Sequence, residues 1–381
     1  MNLRKILLIS GSRGEYGYIR PILRIIEDDP DLEYEIVATN MHLLPDFGFS
    51  INAFEEDGFL VKHKPLMALA GYTPESMMKS MGVFALSITD ILQSSKPDLI
   101  LLAGDRGEQF VGAMTGAHLN IPVAHIQAGE ISGNIDGLTR HAIARYAHIH
   151  FAANKDAADR LVKSGEQPER VFNVGAPQLD EFVRGDFTSG EKISKQYNIQ
   201  QDSPFILVLQ HPVTEEYEYS KEQITITLRA IINLNLPAIV INPNNDAGST
   251  GIQEGIDEYS RPLIQVHRNV PREDYAGLLK CCNILVGNSS SGLIEAPTFA
   301  VPVVNIGRRQ KGRVQGANVI NCDHNVNKIS KAIKKGLSKK FKNTLNGMSN
   351  PYGDGNSSQK IVETLKKITI DNALLNKELT Y

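Results

Sequence analysis

Hydroxyl side chains and glycines are concentrated at residues 287–292, which read Gly-Asn-Ser-Ser-Ser-Gly and precede a predicted helix that carries Glu295. Three hydroxyls and several backbone N–H groups at a helix entrance can surround a diphosphate. Glu295 can accept hydrogen bonds from ribose hydroxyls. The alternative is an ordinary serine N-cap followed by a favourable glutamate in the first turn. Three consecutive serines are more than a cap needs, so the segment predicts a site for a nucleotide diphosphate.

A glycine-rich turn at residues 11–17, Gly-Ser-Arg-Gly-Glu-Tyr-Gly, leads from the first apolar run into a predicted helix. Backbone N–H groups and the helix dipole converge there, which suits an anion, and the guanidinium of Arg13 suits a pyrophosphate. A tight turn with a surface arginine is the alternative. The spacing fits neither the dinucleotide fingerprint nor a P-loop, so we predict a second phosphate contact and no cofactor.

Titratable side chains come directly after other predicted strands, in Gly104-Asp105-Arg106, in residues 125–141 and in His211-Pro212. A simple ion pair is the alternative for Asp105 and Arg106, and any one of these groups taken singly is more often structural than catalytic. Imidazole titrates near neutrality, so His211 can move protons at cytoplasmic pH. The number of such groups at strand ends indicates a functional site rather than packing alone.

Length and composition narrow the class of protein. The chain has 381 residues, which suits two domains with a cleft between them. A formal net charge of −3 and the lack of a long basic block argue against a nucleic-acid partner. The N-terminal apolar run is too short for a signal peptide and no stretch reaches membrane-spanning length, so we expect a cytoplasmic protein without a membrane partner. The three cysteines, Cys281, Cys282 and Cys322, lack the spacing of a disulfide framework or a metal site.

Short apolar runs alternate with helical patterns, which predicts α/β domains whose parallel sheets are covered by helices. The predicted strands are residues 6–10, 35–39, 98–103, 122–126, 205–210, 238–242, 263–267, 284–287 and 303–306. The pattern is interrupted between Val174 and Thr188, which predicts a domain boundary. We predict a first domain at residues 1–180, a second at 181–355, and a C-terminal helix at 356–381 that can pack back on the first domain. Ligands of such sheets bind beyond the carboxyl ends of the strands.

These segments together resemble the UDP-N-acetylglucosamine 2-epimerases, and specifically the hydrolysing branch that begins sialic acid and related nonulosonic acid synthesis. The resemblance covers most of the chain. It rests on motifs that follow one another along the chain: Gly11-Ser12-Arg13 with Glu15-Tyr16, Met41-His42, Gly104-Asp105-Arg106, residues 125–130, Ile135-Asp136 with Arg140-His141, His211-Pro212, residues 244–249, residues 287–297, Asn305-Ile306-Gly307 with Arg309-Gln310, Gly312-Arg313 and Tyr352-Gly353-Asp354-Gly355-Asn356.

The resemblance implies an α/β fold of two Rossmann-like, doubly wound domains facing a cleft, of the GT-B type. UDP would bind mainly to the second domain, with Arg13, Ser289 and Ser290 on the phosphates and Glu295 on the ribose, and the sugar would face the first domain. Catalytic roles are implied for four residues: Asp105, Glu130, Asp136 and His211. Substrate-binding roles are implied for a larger set: Arg13, His42, Arg106, Gln127, Arg140, Asn244, Val270, Tyr275, Asn288, Ser289, Ser290, Gly292, Glu295 and Arg309. Of these, Asn244, Val270 and Tyr275 would lie near the uracil.

The implied reaction eliminates UDP across C1 and C2 to give a glycal that takes up water, so that UDP-N-acetylglucosamine yields N-acetylmannosamine and UDP. The same reaction on UDP-2,4-diacetamido-2,4,6-trideoxyglucose, in legionaminic acid synthesis, is an alternative. A non-hydrolysing epimerase, a glycosyltransferase and a non-catalytic sensor of nucleotide sugars are further alternatives. Relatives suggest a homodimer or homotetramer.

Two residues depart from the pattern of the family. Tyr18 stands where many relatives have a lysine, and Gln127 stands where they have an acid. A neutral amide cannot act as a base, so we assign Gln127 no part in proton transfer.

Overall fold

The computed structural model describes residues 3–71, 73–200, 203–259 and 262–381, and in this part of the chain the strands form two parallel sheets. The strands of the first sheet are β1 (Arg4–Ser10), β2 (Leu32–Ala38), β3 (Val61–His63), β4 (Leu99–Ala103), β5 (Val123–Ala128), β6 (Ile149–Ala152) and β7 (Val171–Asn173). The strands of the second sheet are β8 (Ile206–Leu209), β9 (Ala238–Ile241), β10 (Ile264–His267), β11 (Ile284–Gly287), β12 (Val303–Ile306) and β13 (Val319–Cys322).

Helices alternate with these strands, as the sequence pattern predicted. They are α1 (Arg13–Glu27), α2 (Asn52–Glu56), α3 (Pro74–Ser95), α4 (Gly107–His118), α5 (Ile135–Tyr146), α6 (Lys155–Lys163), α7 (Leu179–Arg184), α8 (Gly190–Gln196), α9 (Ser220–Ile232), α10 (Ser249–Glu258), α11 (Arg272–Cys281), α12 (Ser291–Ile294), α13 (Val326–Leu337), α14 (Lys339–Asn343), α15 (Ser357–Lys367) and α16 (Asn372–Leu375). Among the described residues there is no helix with the length and apolarity needed to cross a bilayer.

Apolar side chains on both faces of each strand explain why the sheets are covered on both sides. Side chains alternate along a strand, and in β1 Ile6 and Leu8 join one core with α1 and α15. Leu7 and Ile9 join a separate core on the opposite face, with α3 and α4. The second sheet is likewise buried on both faces, with one cluster of apolar side chains on each face. Burial on both faces is typical of parallel sheets in doubly wound domains.

The strand order fixes where a ligand can bind. It is β3-β2-β1-β4-β5-β6-β7 in the first sheet and β10-β9-β8-β11-β12-β13 in the second. The order reverses between β1 and β4 in one sheet and between β8 and β11 in the other. In open α/β sheets a crevice forms beyond the carboxyl ends of the strands at such a reversal. The turns that follow β1, β4, β8 and β11 are therefore the first places to look for a site.

The C-terminal helix α15 packs against α1 of the first domain, where Ile361 and Leu365 share a core with Ile6. The N-terminus of α15 is held by Asp180, which accepts hydrogen bonds from the backbone N–H groups of Ser357 and Ser358 at 3.0 and 2.7 Å. The predicted domain limits at residues 180 and 355 remain predictions.

The helix predicted after residue 292 is shorter than expected. α12 comprises Ser291–Ile294 alone, and Glu295 joins it to a 3-10 turn at Ala296–Phe299. Pro297 has no N–H to donate, so an α-helix cannot continue through it. A helix of one turn has only a small dipole. The binding of an anion at α12 would therefore depend on hydroxyl and backbone N–H groups.

Candidate active site

A cavity of about 630 Å³ lies between the two domains at the carboxyl ends of both sheets. Most residues predicted for the site line it: Arg13, His42, Asp105, Arg106, Asp136, His211, Asn244, Val270, Tyr275, Ser289, Ser290, Glu295 and Arg309. The lining of this cavity does not include five others: Gln127, Glu130, Arg140, Asn288 and Gly292. The turns after β1, β4, β8 and β11 all contribute, as the strand order requires.

Two carboxylates of the first domain, Asp105 and Asp136, face the cavity. Asp105 forms an ion pair with Arg140, which is buried and also donates to the carbonyl of Glu130 at 3.2 Å. Asp136 accepts a hydrogen bond from the side chain of Asn134 at 2.7 Å. Burial, followed by the negative charge of Asp105, raises the pKa of Asp136 to about 6. Asp136 can therefore gain and lose a proton near neutral pH.

His211 follows β8 and brings an imidazole to the cavity from the second domain. Its Nδ1 accepts a hydrogen bond from the backbone N–H of Asn244 at 3.2 Å, which assigns the ring proton to Nε2. Burial, followed by the charge of Arg309, lowers the pKa of His211 to about 3. The ring is thus neutral at physiological pH and can donate one hydrogen bond through Nε2.

Asn288 does not line the cavity, but it holds His211 in place. Its side-chain oxygen accepts from the backbone N–H of His211 at 2.7 Å, and its nitrogen donates to the carbonyl of the same residue at 2.8 Å. Asn288 lies in the turn after β11, where Gly287 has φ 141°. A Cβ on Gly287 would lie 2.1 Å from the carbonyl oxygen of Leu209, so glycine is required for this turn to approach β8.

Arg106 connects the two domains across the cavity. Its guanidinium donates to Asp246 at 2.9 Å and to Asn245 at 2.7 Å in the second domain, and to Glu108 at 3.1 Å in its own. Asp246 was not among the predicted site residues, although it lies in the motif at residues 244–249. The sequence did contain a signal for Asp246, because this acid follows shortly after the predicted strand that ends at residue 242.

Glu15 adds a further carboxyl group of the first domain to the cavity lining. It lies in the first turn of α1 and accepts a hydrogen bond from the backbone N–H of Gly11. Burial, followed by the nearby charge of Glu108, raises the pKa of Glu15 well above its usual range. A protonated carboxyl is a hydrogen-bond donor, so Glu15 can donate at the turn that follows β1.

The groups predicted to hold a diphosphate come from both sides of the cavity. Arg13 begins α1, and its guanidinium donates to the side chain of Asn269 and to the carbonyl of Arg268 at 3.3 Å. Burial lowers the pKa of Arg13 to about 10, so it stays charged. Ser289 and Ser290 line the opposite wall. A cation and two hydroxyls facing one space are suited to a diphosphate.

Val270 and Tyr275, two of the residues predicted near the uracil, also line the cavity. Val270 is buried, and Tyr275 forms a hydroxyl hydrogen bond with Ser291. Glu295 lines the cavity as well. Gly292 lies behind it, where a Cβ would meet Val303 at 2.7 Å, so this glycine allows α12 to pack closely on the sheet.

Asn244 lines the same cavity as Val270 and Tyr275. Its backbone N–H donates to Nδ1 of His211, and its side chain donates to Asp246. Asn244 is therefore fixed by polar groups of its own domain.

Glu130 lies behind the cavity wall. It accepts hydrogen bonds from Asn154 and, at 3.2 Å, from Arg313 of the second domain, and it is 2% exposed. Gln127 is also buried, with a positive φ of 63° where β5 shifts its register against β6. Both side chains face protein groups rather than the cavity. Glu130 and Gln127 can therefore influence a bound sugar only through the residues that they contact.

Tyr18 lines the cavity although the sequence singled it out only as a departure from relatives. Its ring lies 3.4 Å from the position of a Cβ on Gly104, the residue before Asp105. Burial and the charge of Asp105 raise the pKa of Tyr18 to about 12. The phenol therefore keeps its proton and can donate a hydrogen bond beside Asp105.

Comparisons with known proteins identify relatives of this chain. A hydrolysing UDP-N,N'-diacetylbacillosamine 2-epimerase of Legionella pneumophila is 36% identical over 377 residues, 98% of this chain and 99% of that protein. A UDP-N-acetylglucosamine 2-epimerase of Neisseria meningitidis is 31% identical over 336 residues, 88% of this chain and 88% of that protein.

The fold also matches that of solved structures. The crystal structure of UDP-GlcNAc 2-epimerase from Neisseria meningitidis bound to UDP-GlcNAc has a TM-score of 0.82 at 20% identity and covers 96% of this chain and 100% of that one. The predicted fold of two Rossmann-like domains of the GT-B type is thereby confirmed. The model of the family described as UDP-N-acetylglucosamine 2-epimerase matches residues 24–366. The chain belongs to the UDP-N-acetylglucosamine 2-epimerase family.

Proposed function

We propose that this protein is a hydrolysing 2-epimerase that converts a UDP-activated 2-acetamido sugar and water to UDP and the free sugar inverted at C2. One observation carries the proposal. A carboxylate with a pKa near neutrality, Asp136, faces a neutral imidazole, His211, across a cavity whose walls include Arg13 and two serines. Such a site can remove a proton from carbon and stabilise a departing diphosphate.

UDP is held mainly by the second domain in this proposal. Ser289, Ser290 and Arg13 contact the diphosphate, and Glu295 accepts hydrogen bonds from the ribose. Val270 and Tyr275 lie against the uracil, because both pack in an apolar cluster of the second domain and also line the cavity. Asn244 is assigned to the phosphate end instead, since it contacts His211.

In the first step the C2–H and C1–O bonds break. Asp136 takes the C2 proton, the C–H electron pair forms the C1=C2 double bond, and UDP leaves with the C1–O pair. No carbonyl lies next to C2 on the ring, so the proton is weakly acidic and early departure of UDP supplies most of the driving force. Arg13 and the Nε2–H of His211 stabilise the negative charge that develops on the diphosphate.

In the second step water adds to the glycal. The oxygen of the water bonds to C1, one of the water's protons adds to C2 on the face opposite to Asp136, and the proton that Asp136 took from C2 is released to solvent. The products are UDP and a free sugar with inverted configuration at C2, so atoms and charge balance. Asp105, paired with Arg140, orients the sugar hydroxyls, and Tyr18 donates beside it.

Glu130 acts through other residues in this account. Its ion pair with Arg313 joins the two domains behind the sugar, and Arg140 links its carbonyl to Asp105. We therefore assign Glu130 a positioning role, and the catalytic candidates that remain are Asp105, Asp136 and His211.

The substrate we favour is UDP-N,N'-diacetylbacillosamine, because the Legionella protein of that activity is 36% identical over nearly the whole chain. UDP-N-acetylglucosamine is the second candidate, supported by the Neisseria relative at 31% identity. With that substrate the sugar product would be N-acetylmannosamine, at the start of sialic acid synthesis.

Incubation of the protein with each nucleotide sugar in water, with no acceptor sugar, tests the proposal. We expect free UDP and free 2-epimerised sugar, and a higher kcat/KM for the diacetamido sugar. Intact epimerised nucleotide sugar with no free UDP would identify a non-hydrolysing epimerase. Turnover that requires an acceptor would identify a glycosyltransferase.

A further inference from the structure

The loop after β5 touches the second domain through its backbone. The N–H of Gly133 donates to the carbonyl of Arg309 at 2.9 Å. The guanidinium of Arg308 donates to the carbonyl of Gly133 at 2.5 Å. Both polar groups of one peptide segment are thus satisfied from the opposite domain. We call this pair of hydrogen bonds the 133–309 contact.

Only glycine fits at the centre of the 133–309 contact. A Cβ on Gly133 would lie 1.8 Å from the carbonyl oxygen of Arg308 and 2.8 Å from its carbonyl carbon, and backbone atoms cannot move aside as a flexible side chain can. A second glycine, Gly312, lies nearby with φ 84°, where a Cβ would be 2.6 Å from Ile131. Glycines on both sides therefore allow the two segments to approach closely.

The contact lies between the two groups that the proposed reaction uses. Asp136 is three residues beyond Gly133 and lies 3.7 Å from the guanidinium of Arg309. Arg309 also donates to the carbonyl of Asn288 at 3.3 Å, and the side chain of Asn288 holds the backbone of His211. A continuous set of contacts thus runs from Asp136 in one domain to His211 in the other.

We propose that Gly133 is a positioning residue, whose backbone pairing with Arg308 and Arg309 sets Asp136 and His211 at their working separation across the cleft. The inference rests on the proposed function for the roles of Asp136 and His211. UDP binding depends mainly on the second domain, so it does not require the 133–309 contact. Gly133 itself takes part in no step of the proposed reaction.

Gly133→Ala tests the inference, because the added methyl group prevents the contact without removing any functional group. We expect kcat to fall about 100-fold, the loss that follows a displacement of catalytic groups by roughly 1 Å. The Kd for UDP by calorimetry should change much less than kcat, because most of the proposed UDP contacts belong to the second domain, and the melting temperature should stay at the wild-type value. Small-angle scattering should give a larger radius of gyration, because the cleft opens.

Gly82→Ala is the matched control. Gly82 is exposed on α3, and no described atom lies within 4 Å of a Cβ added there. This variant should keep the kcat and radius of gyration of the wild type.

Arg308→Ala provides a second test, since it removes one hydrogen bond of the contact without adding bulk. It should lower kcat with UDP binding intact, and Arg308→Lys should restore part of the loss. If Gly133→Ala does not fold, the kcat of Arg308→Ala tests whether the 133–309 contact positions Asp136 and His211.

Wild-type kcat in either Gly133→Ala or Arg308→Ala would overturn the inference, as would a loss of kcat matched by an equal loss of UDP binding. An inactive wild type would instead refute the proposed function. In that case the scattering comparison still reports on the contact, and an unchanged radius in Gly133→Ala would overturn it.

Discussion

Asp136 and His211 face one cavity from opposite domains, and burial changes their protonation in complementary ways. It raises the pKa of Asp136 to about 6 and lowers that of His211 to about 3. At neutral pH this leaves one group ionised and able to take a proton, and the other neutral and able to donate a hydrogen bond. Groups whose surroundings separate their pKa values in this way are suited to different roles in one reaction.

Asp136→Asn should lower kcat by roughly 100- to 10,000-fold, the usual contribution of a general base, while UDP still binds. Steady-state kinetics and calorimetry measure the two effects. Asp90→Asn, an exposed change on α3, is the control and should be silent. A variant that keeps full turnover would remove Asp136 from the mechanism.

The wild-type pH profile tests the same assignment. A base must be deprotonated to act, so kcat/KM should fall as pH drops below the pKa of Asp136, near 6. A profile that stays flat down to pH 4 would contradict the assignment.

Residues at strand ends could be predicted from the sequence, whereas partners across the cleft could not. Asp105 and His211 were found because each follows an apolar run, and parallel strands end at the ligand crevice. The pairing of Arg106 with Asp246 joins residues 140 positions apart in different domains, and no local pattern records it. The contact of Glu130 with Arg313 of the other domain was unpredictable for the same reason, and the role of Glu130 stays a prediction.

At the scale of elements, the site depends on turns that follow β8 and β11, which are neighbours in the second sheet. His211 lies in one turn and Asn288 in the other, joined by two hydrogen bonds. The imidazole is therefore positioned by the sheet rather than by its own loop. Catalytic groups held by a rigid scaffold in this way lose little precision to loop motion.

Asn288→Ala should reduce kcat by about 100-fold, because it frees the backbone of His211 while leaving the imidazole present. UDP affinity should change less than kcat. The exposed Asn233→Ala is a control that keeps the wild-type rate. Equal losses in kcat and UDP affinity would show that Asn288 serves nucleotide binding instead.

Strands with long apolar runs were predictable from the sequence, whereas four strands were missed. The buried runs that became β1, β4, β11 and β12 are apolar on both faces. β3, β7 and β13 were missed because they are short strands at sheet edges with half-buried or exposed positions, and their residues carry no clear periodicity. β6 was missed although it is buried and internal, because it has only four residues and His150 interrupts its apolar run. The helix predicted after residue 292 is short because Pro297 does not allow an α-helix to continue, although the serine-rich segment favours its start.

At the scale of the whole molecule, polar contacts join the domains around the cavity. Arg13, Arg106 and Arg313 each cross from one domain to the other. Charged groups that span the cleft hold the second domain, proposed to bind the diphosphate, close to the first domain, proposed to bind the sugar. A closed cleft suits an enzyme that must exclude water until UDP has left. The homodimer or homotetramer expected from the resemblance stays a prediction, which sedimentation velocity can measure.

Stability should fall as the solution becomes more acid. Burial lowers the pKa values of His42, His125 and His211 to about 3, so below pH 6.5 the unfolded chain binds more protons than the folded one. Each histidine then costs up to about 1.4 kcal/mol per pH unit. Glu15 and Asp136 give the opposite slope, because their folded pKa values are raised. The three histidines dominate, and urea unfolding should give a lower free energy at pH 5 than at pH 7.5. Equal or greater stability at pH 5 would contradict this.

The proposed reaction passes through loss and regain of the hydrogen at C2 with release of UDP. Turnover in D₂O, followed by mass and NMR analysis of the sugar, measures both events. We expect one deuterium at C2, inverted configuration at that carbon, and an equal amount of free UDP. A product with its original hydrogen at C2, or a nucleotide sugar still joined to UDP, would contradict it.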